Sequence, residues 1–200
     1  MEKKTDLRII KTQMALSNAL LEILNEKRFD ELTVNELCER AMVRRATFYK
    51  HFADKYEFFG FFVHQIQEEF VESCRQEQKN SGSDYQVYLT KQTILFFKNH
   101  EKLVNSVVKS SAFPTLLDIL AQEIYQNILL NEKEKAASGI KPSVAPEILA
   151  TFYSGGIIQI FRFWIEHSKT ISEEDLMKQF EMLFQSFQPN ETISTKKTLD

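Results

Sequence analysis

The chain has 200 residues, 43% of them hydrophobic, enough to bury a real core as one large domain or as a small domain fused to a medium one. A formal charge of -3 argues against a protein that coats nucleic acid by bulk positive charge, although residues 1–55 hold 11 Lys+Arg against 9 Asp+Glu, a local positive excess. Five glycines and four prolines leave few turns between long runs of good helix formers, so an all-α fold of about nine helices is expected.

The start, Met1-Glu2-Lys3-Lys4-Thr5-Asp6, leads into an amphipathic pattern without an apolar signal core. No uninterrupted apolar run approaches the ~18 residues needed to span a bilayer, so a soluble, cytoplasmic protein with no membrane partner is expected. Ile9, Thr12, Leu16, Ala19, Leu20, Ile23 and Leu24 recur at helical spacing and predict a helix over 7–26 with one buried stripe. Phe29 follows between charged residues and reads as a core plug.

Thr33-Val34-Asn35-Glu36 is a capping box that opens a short helix over 34–41, with Val34, Leu37, Cys38 and Ala41 on one face. A second short helix over about 45–51 follows a turn of roughly three residues. Phe48 and Phe52 form its apolar side, while Arg44, Arg45, Thr47, Lys50 and His51 form the other. Two short helices with a closed inner face and a basic outer one make a helix-turn-helix, whose second helix fits a major groove ~12 Å wide. Asp54 and Glu57 repeat the capping logic and open a long helix running to about residue 79.

Asn80-Ser81-Gly82-Ser83-Asp84 is the clearest break in the chain. Helical patterns then cover 85–99, 101–110, 114–137, 144–167 and 173–187. Pro114 and Pro142 suit helix starts, and Gly139 suits a helix end. Residues 188–200 are polar and unpatterned and read as a disordered tail.

The segment 33–52, followed by Asp54-Lys55, resembles the DNA-binding signature of the TetR/AcrR regulators, most specifically in its Thr47-Phe48-Tyr49-Lys50-His51-Phe52 string. The resemblance is good over 7–65 and loose in the second half, where Tyr153-Ser154-Gly155-Gly156 and Trp164-Ile165 are similar to one subgroup of effector domains. It implies a three-helix DNA-binding domain over 1–53, extending into the next helix to about 65. A larger effector-binding and dimerisation domain over 54–187 would follow. It further implies that Arg44, Arg45, Ala46 and Thr47 face base edges, with Arg45 the first choice for bidentate contact to guanine. Tyr49, Lys50 and His51 would hold phosphates, as would Thr33 and Lys55 at helix amino ends. Two departures stand out. The family usually has glycine where Met42 stands, and commonly a small cap residue where Arg44 stands.

Several features weigh against other chemistry. Cys38 and Cys74 lack a CxxC pair or cationic cluster and read as small hydrophobes; the histidines are scattered singly, so no metal is expected. No nucleophile, paired carboxylates or cofactor motif can be assigned, which gives no catalytic residues, no cofactor and no enzyme. Gly155-Gly156 lacks a nucleotide-loop context and is assigned to close helix packing. Among seventeen phenylalanines, an effector pocket is expected from Phe62, Phe96, Phe97, Phe113, Tyr125, Phe152 and Tyr153. The stripes Leu149, Phe152, Gly156, Ile160, Phe163 and Leu176, Phe180, Leu183, Phe187 lie on the last two helices, which by resemblance pair with their twofold mates in a homodimer. The expected function is thus a sequence-specific regulator bound to double-stranded operator DNA, a repressor responsive to a small-molecule or protein effector. The alternative is an interaction module of the same fold acting as a co-activator through a protein partner.

Overall fold

A computed structural model describes residues 7–78, 85–137, 139, 144–167 and 170–187; the predicted break at 80–84, Pro142 and the tail at 188–200 lie outside them. Among these residues the chain is all helix, without strands: α1 (Leu7–Glu26), a 3-10 turn (Phe29–Glu31), α2 (Val34–Arg40), α3 (Arg45–Phe48), α4 (Lys55–Gln78), α5 (Tyr85–Asn99), α6 (Glu101–Val108), α7 (Phe113–Ala137), α8 (Pro146–Glu166) and α9 (Glu173–Phe187).

Local chemistry sets the boundaries. Thr33 caps α2 by accepting from the Glu36 amide at 3.2 Å, whereas the Glu36 carboxylate turns to Lys27 Nζ at 2.5 Å. Asp54 Oδ1 accepts from the amides of Tyr56 and Glu57 at 2.8 and 2.9 Å, and Glu57 reaches back to the Ala53 amide at 2.5 Å, starting α4. Pro146, rather than Pro142, is the first residue of α8, where its missing amide hydrogen costs nothing. Gly139 (φ 94) follows the end of α7 in a conformation open to glycine.

Two cores organise the molecule. The first gathers Leu16, Leu20, Ile23 and Leu24 of α1, Phe29, Leu37 and Cys38, Phe48 and Phe52, then Phe58, Phe59 and Phe62 of α4 with Leu103 and Val107 of α6. It therefore runs without interruption past residue 53 into the second half of the chain. Phe29 and Phe48 are fully buried, and truncating either to alanine would cost about 3–5 kcal/mol. The second core joins Ile94 of α5, Ile128 of α7, Ala150, Ile157, Phe161 and Trp164 of α8, and Leu176 and Phe180 of α9. Lys98 Nζ pairs with Glu173 at 2.7 Å and ties α5 to α9.

Gly155 and Gly156 do not serve close packing within the chain: both are exposed, and a Cβ added at either meets nothing within 4 Å. They fall on the outward side of α8, because the inward phase is held by Ala150, Ser154, Ile157 and Phe161. Pro146–Glu166 is the one described helix long and apolar enough to cross a membrane by length and composition. Its inward face, Ala150, Ile157, Phe161 and Trp164, packs into the second core.

Candidate nucleic-acid interface and effector cavity

The turn between α2 and α3 is built by a Schellman arrangement. The Met42 amide bonds the Glu39 carbonyl at 3.1 Å, and the Val43 amide bonds the Cys38 carbonyl at 2.9 Å. Met42 itself takes the left-handed conformation, φ 53, at the position where the family usually has glycine. Arg44 then holds an extended backbone, φ -68 and ψ 137, and gives no side-chain cap, so its guanidinium is left for other work. The regular helix stops at Phe48, short of the predicted residue 51. There the amides of Lys50 and His51 bond back three residues, to Thr47 at 3.3 Å and Phe48 at 2.9 Å. That tightening turns Phe52 inward against Phe58, ring centroids 5.0 Å apart.

Buried Phe48 anchors the segment, and the expected reading residues face away from it. Arg44, Arg45, Ala46, Tyr49 and Lys50 are exposed, and Thr47 and His51 are half-buried. The Arg45 guanidinium lies 5.9 Å from the Tyr49 ring centre, and the Tyr49 ring stands edge-on to Phe48 at 5.4 Å. No described residue forms an ion pair with Arg44, Arg45 or Lys50. Arg40 is the contrast. It grips Glu26 through two hydrogen bonds of 2.8 and 2.9 Å, which raises its own pKa and lowers that of Glu26, and so ties α2 to α1.

The Lys55 side chain is engaged within the protein. Its ammonium donates to the carbonyls of Phe29, Asp30 and Leu32 at 3.1, 3.1 and 2.8 Å and lies 4.9 Å from the centre of the Phe29 ring. All three of its donors point into the protein, which leaves only its main-chain amide at the start of α4 for a phosphate. The segment that Lys55 holds is also fastened from the other side. Asp30 Oδ1 accepts from the Ser111 amide at 3.0 Å and its hydroxyl at 2.6 Å, the Ser111 hydroxyl lies 3.0 Å from the Tyr56 hydroxyl, and Arg28 donates to the Lys109 carbonyl. Sequence reasoning missed this polar latch between the 3-10 turn and the α6–α7 corner, because no motif joins residues 81 apart in the chain.

The cavity of about 160 Å³ lies between α4, α5, α6, α7 and α8. Phe62, Phe96 and Phe97 line it, whereas Phe113, Tyr125, Phe152 and Tyr153 do not. Helical phase decides: α7 presents Leu116, Leu120, Glu123, Ile124 and Asn127, a stripe that skips Tyr125, and α8 presents Ile157, Ile158 and Phe161. Phe113 sits at the first position of α7, before that stripe begins. Phe152 and Tyr153 line a shallow depression with Ile160, Phe180 and Leu183, on the α8–α9 side. Leu24 of α1 also forms part of the cavity wall, as do Phe59 and Val107, so the cavity and the core behind the helix-turn-helix share side chains.

A helix-turn-helix with a closed inner face and unpaired cations outside defines a DNA-binding regulator, and comparison with known proteins agrees. The description "Bacterial regulatory proteins, tetR family" matches residues 16–60, and "Transcriptional regulator C-terminal region" matches 88–186. The chain belongs to the TetR family of transcriptional regulators. It is 40% identical over 57 residues to the HTH-type transcriptional regulator YxbF of Bacillus subtilis (strain 168), a stretch that is 28% of this chain and only 15% of that relative. Similar solved structures include the FadR regulator from Bacillus subtilis in complex with stearoyl-CoA (TM-score 0.61, 15% identity, 86% of this chain and 95% of that one). A TetR-family regulator from Syntrophomonas wolfei is similar to the same degree (TM-score 0.61, 16% identity, 88% and 93% covered), and the dihydroxyacetone kinase operon activator DhaS scores 0.59 at 16% identity, with 88% and 94% covered. At these identities the structural likeness speaks for the fold.

Proposed function

We propose that the chain is a homodimeric, cytoplasmic repressor that reads a palindromic operator through residues 44–51 and releases it when an effector occupies the second domain. The observation that carries the reading is the set of exposed, unpaired cations, Arg44, Arg45 and Lys50, held on one side of a helix whose other side is anchored by buried Phe48. Arg45 and Arg44 would meet base edges with Ala46 and Thr47 beside them, while Tyr49, Lys50, His51, the Thr33 cap and the Lys55 amide would meet phosphates. The division of labour would fall near residue 53, and the wall shared through Leu24 and Phe59 gives an effector a direct hold on the DNA-reading part. A gel-shift titration against fragments upstream of the gene, at defined salt, tests this. Arg45→Ala should lose about 1–3 kcal/mol and relax one operator position, and Lys50→Ala should weaken all sequences and lower the salt slope by about one. Full-affinity binding by both variants would remove the reading. DhaS is named an operon activator, so the direction of control is settled separately by a reporter gene placed behind the bound fragment.

A further inference from the structure

The cavity wall is lopsided in its polar chemistry. Six phenylalanines, Phe59, Phe62, Phe70, Phe96, Phe97 and Phe161, contribute to it, and among the described lining residues Glu123 is the one ionisable residue, with no lysine or arginine among them. The polar groups divide by whether they are already engaged. Asn127 accepts from Arg75 Nη2 at 3.0 Å and donates to the Glu123 carbonyl at 2.9 Å, and the Thr93 hydroxyl donates to the Leu89 carbonyl at 2.8 Å. Gln67 Oε1, in contrast, is buried with no hydrogen-bond partner among the described residues. The Glu123 carboxylate receives no hydrogen bond from any of them either, since His64 Nδ1 stands at 3.8 Å, beyond hydrogen-bonding reach. His64 and Gln67 are three residues apart on α4, so the amide of Gln67 lies one helical turn from the side chain facing that carboxylate. Among the described residues the wall thus carries two acceptors that receive no hydrogen bond, Gln67 Oε1 and the Glu123 carboxylate, beside the donors of the Gln67 amide nitrogen and the Thr90 hydroxyl.

We infer that the cavity takes a compact hydrophobic ammonium: a ring-sized apolar body carrying a protonated primary amine that donates to Gln67 Oε1 and the Glu123 carboxylate. This rests on the proposed reading of the second domain as an effector sensor. Size favours a small body, because about 160 Å³ is close to the ~150 Å³ of an apolar protein cavity that holds benzene. Charge favours a cation, which the carboxylate attracts and the phenylalanine faces accept through their ring quadrupoles. An anionic amphiphile would meet a carboxylate and no lining cation to offset it. An acyl-CoA such as the one bound by Bacillus subtilis FadR mismatches this wall in both bulk and sign.

Calorimetric titration of the full-length protein with benzylamine, benzyl alcohol and benzoate separates the possibilities. Benzylamine should bind best, benzyl alcohol about tenfold more weakly or worse, and benzoate not at all. Glu123→Gln, which keeps shape and removes charge, should weaken benzylamine by about tenfold and change benzyl alcohol far less. Gln67→Leu should weaken both. Benzoate binding as well as benzylamine, an unchanged benzylamine affinity in Glu123→Gln, or no binding of any of the three would overturn the inference. If Glu123→Gln does not fold, the ranking of the three compounds on the unaltered protein decides. A parallel gel shift keeps the two readings apart: benzylamine that binds and leaves operator affinity unchanged supports the ligand class and refutes the sensor.

Discussion

Met42 carries a full side chain in a left-handed turn and leaves it 94% exposed, so the backbone strain is offset by no packing of its own. Met42→Gly should therefore raise stability by about 1 kcal/mol in denaturant unfolding, with the recognition segment unmoved; a loss of stability would mean that the turn draws on the methionine in some other way. The cysteines lead to a second expectation. Cys38 and Cys74 are buried, and burial raises both thiols, with Cys74 at about 11, so neither forms appreciable thiolate near neutral pH. Both should react with a thiol reagent at least about tenfold more slowly in the folded protein than after denaturation, and rapid labelling of native Cys74 would contradict its placement. Residues whose role is local were legible in the sequence: the Thr33 and Asp54 caps, the Phe29 plug and the outward cations of 44–50 all follow from neighbours a few positions away. Lys55 was not, because its carbonyl partners belong to another element. The pocket aromatics were legible only in part, since lining against filling depends on the phase at which neighbouring helices meet.

At the scale of elements, helix existence was readable almost throughout, because 3.6-residue periodicity and end signals agree, while the joints between helices were not. The α6–α7 corner is the joint that matters most. Ser111 hydrogen-bonds to Asp30, chiefly through its hydroxyl and then its amide, and these bonds hold the Asp30 carboxyl below its ordinary pKa. A carboxylate with a depressed folded pKa stabilises the native state at pH above its unfolded value, and the contribution fades as pH falls through the folded value. Asp30→Asn should therefore unfold at lower denaturant than the parent at pH 7, and the difference should shrink as pH drops below about 4. A difference that stays constant across that range would show that the charge is irrelevant to the latch. Ser111→Ala removes the shared hydroxyl and should release Tyr56 as well as Asp30. Under the sensor reading it also weakens the link from α6 to the 3-10 turn. Operator affinity would then respond less to an effector, even though effector affinity itself is unchanged.

The outer side of α8 and α9 is apolar. Phe152 is 57% exposed and Phe163 49%, and Ile148, Met182 and Leu183 are exposed with them. Gly155 and Gly156 lie on the same side with open space in front of them, which would let a second helix backbone approach closely. The helix stripes were visible in the sequence, but which stripe faces inward was not: Ile157, Phe161 and Trp164 take the core, and the Phe152–Gly156–Phe163 stripe is left outside. In the proposed homodimer a twofold partner would cover this surface with its own copy, and it would also place a second recognition segment on the same duplex, where the effective concentration of the second contact multiplies the first. Phe152→Glu puts a carboxylate into that surface without touching the cavity or the first core. Sedimentation should then report a monomer of unchanged secondary structure, with operator affinity lower by about 100-fold because the two half-sites no longer share one ligand. A dimer that survives the substitution would assign the surface to another partner, and a monomer with undiminished operator affinity would mean that one helix-turn-helix suffices.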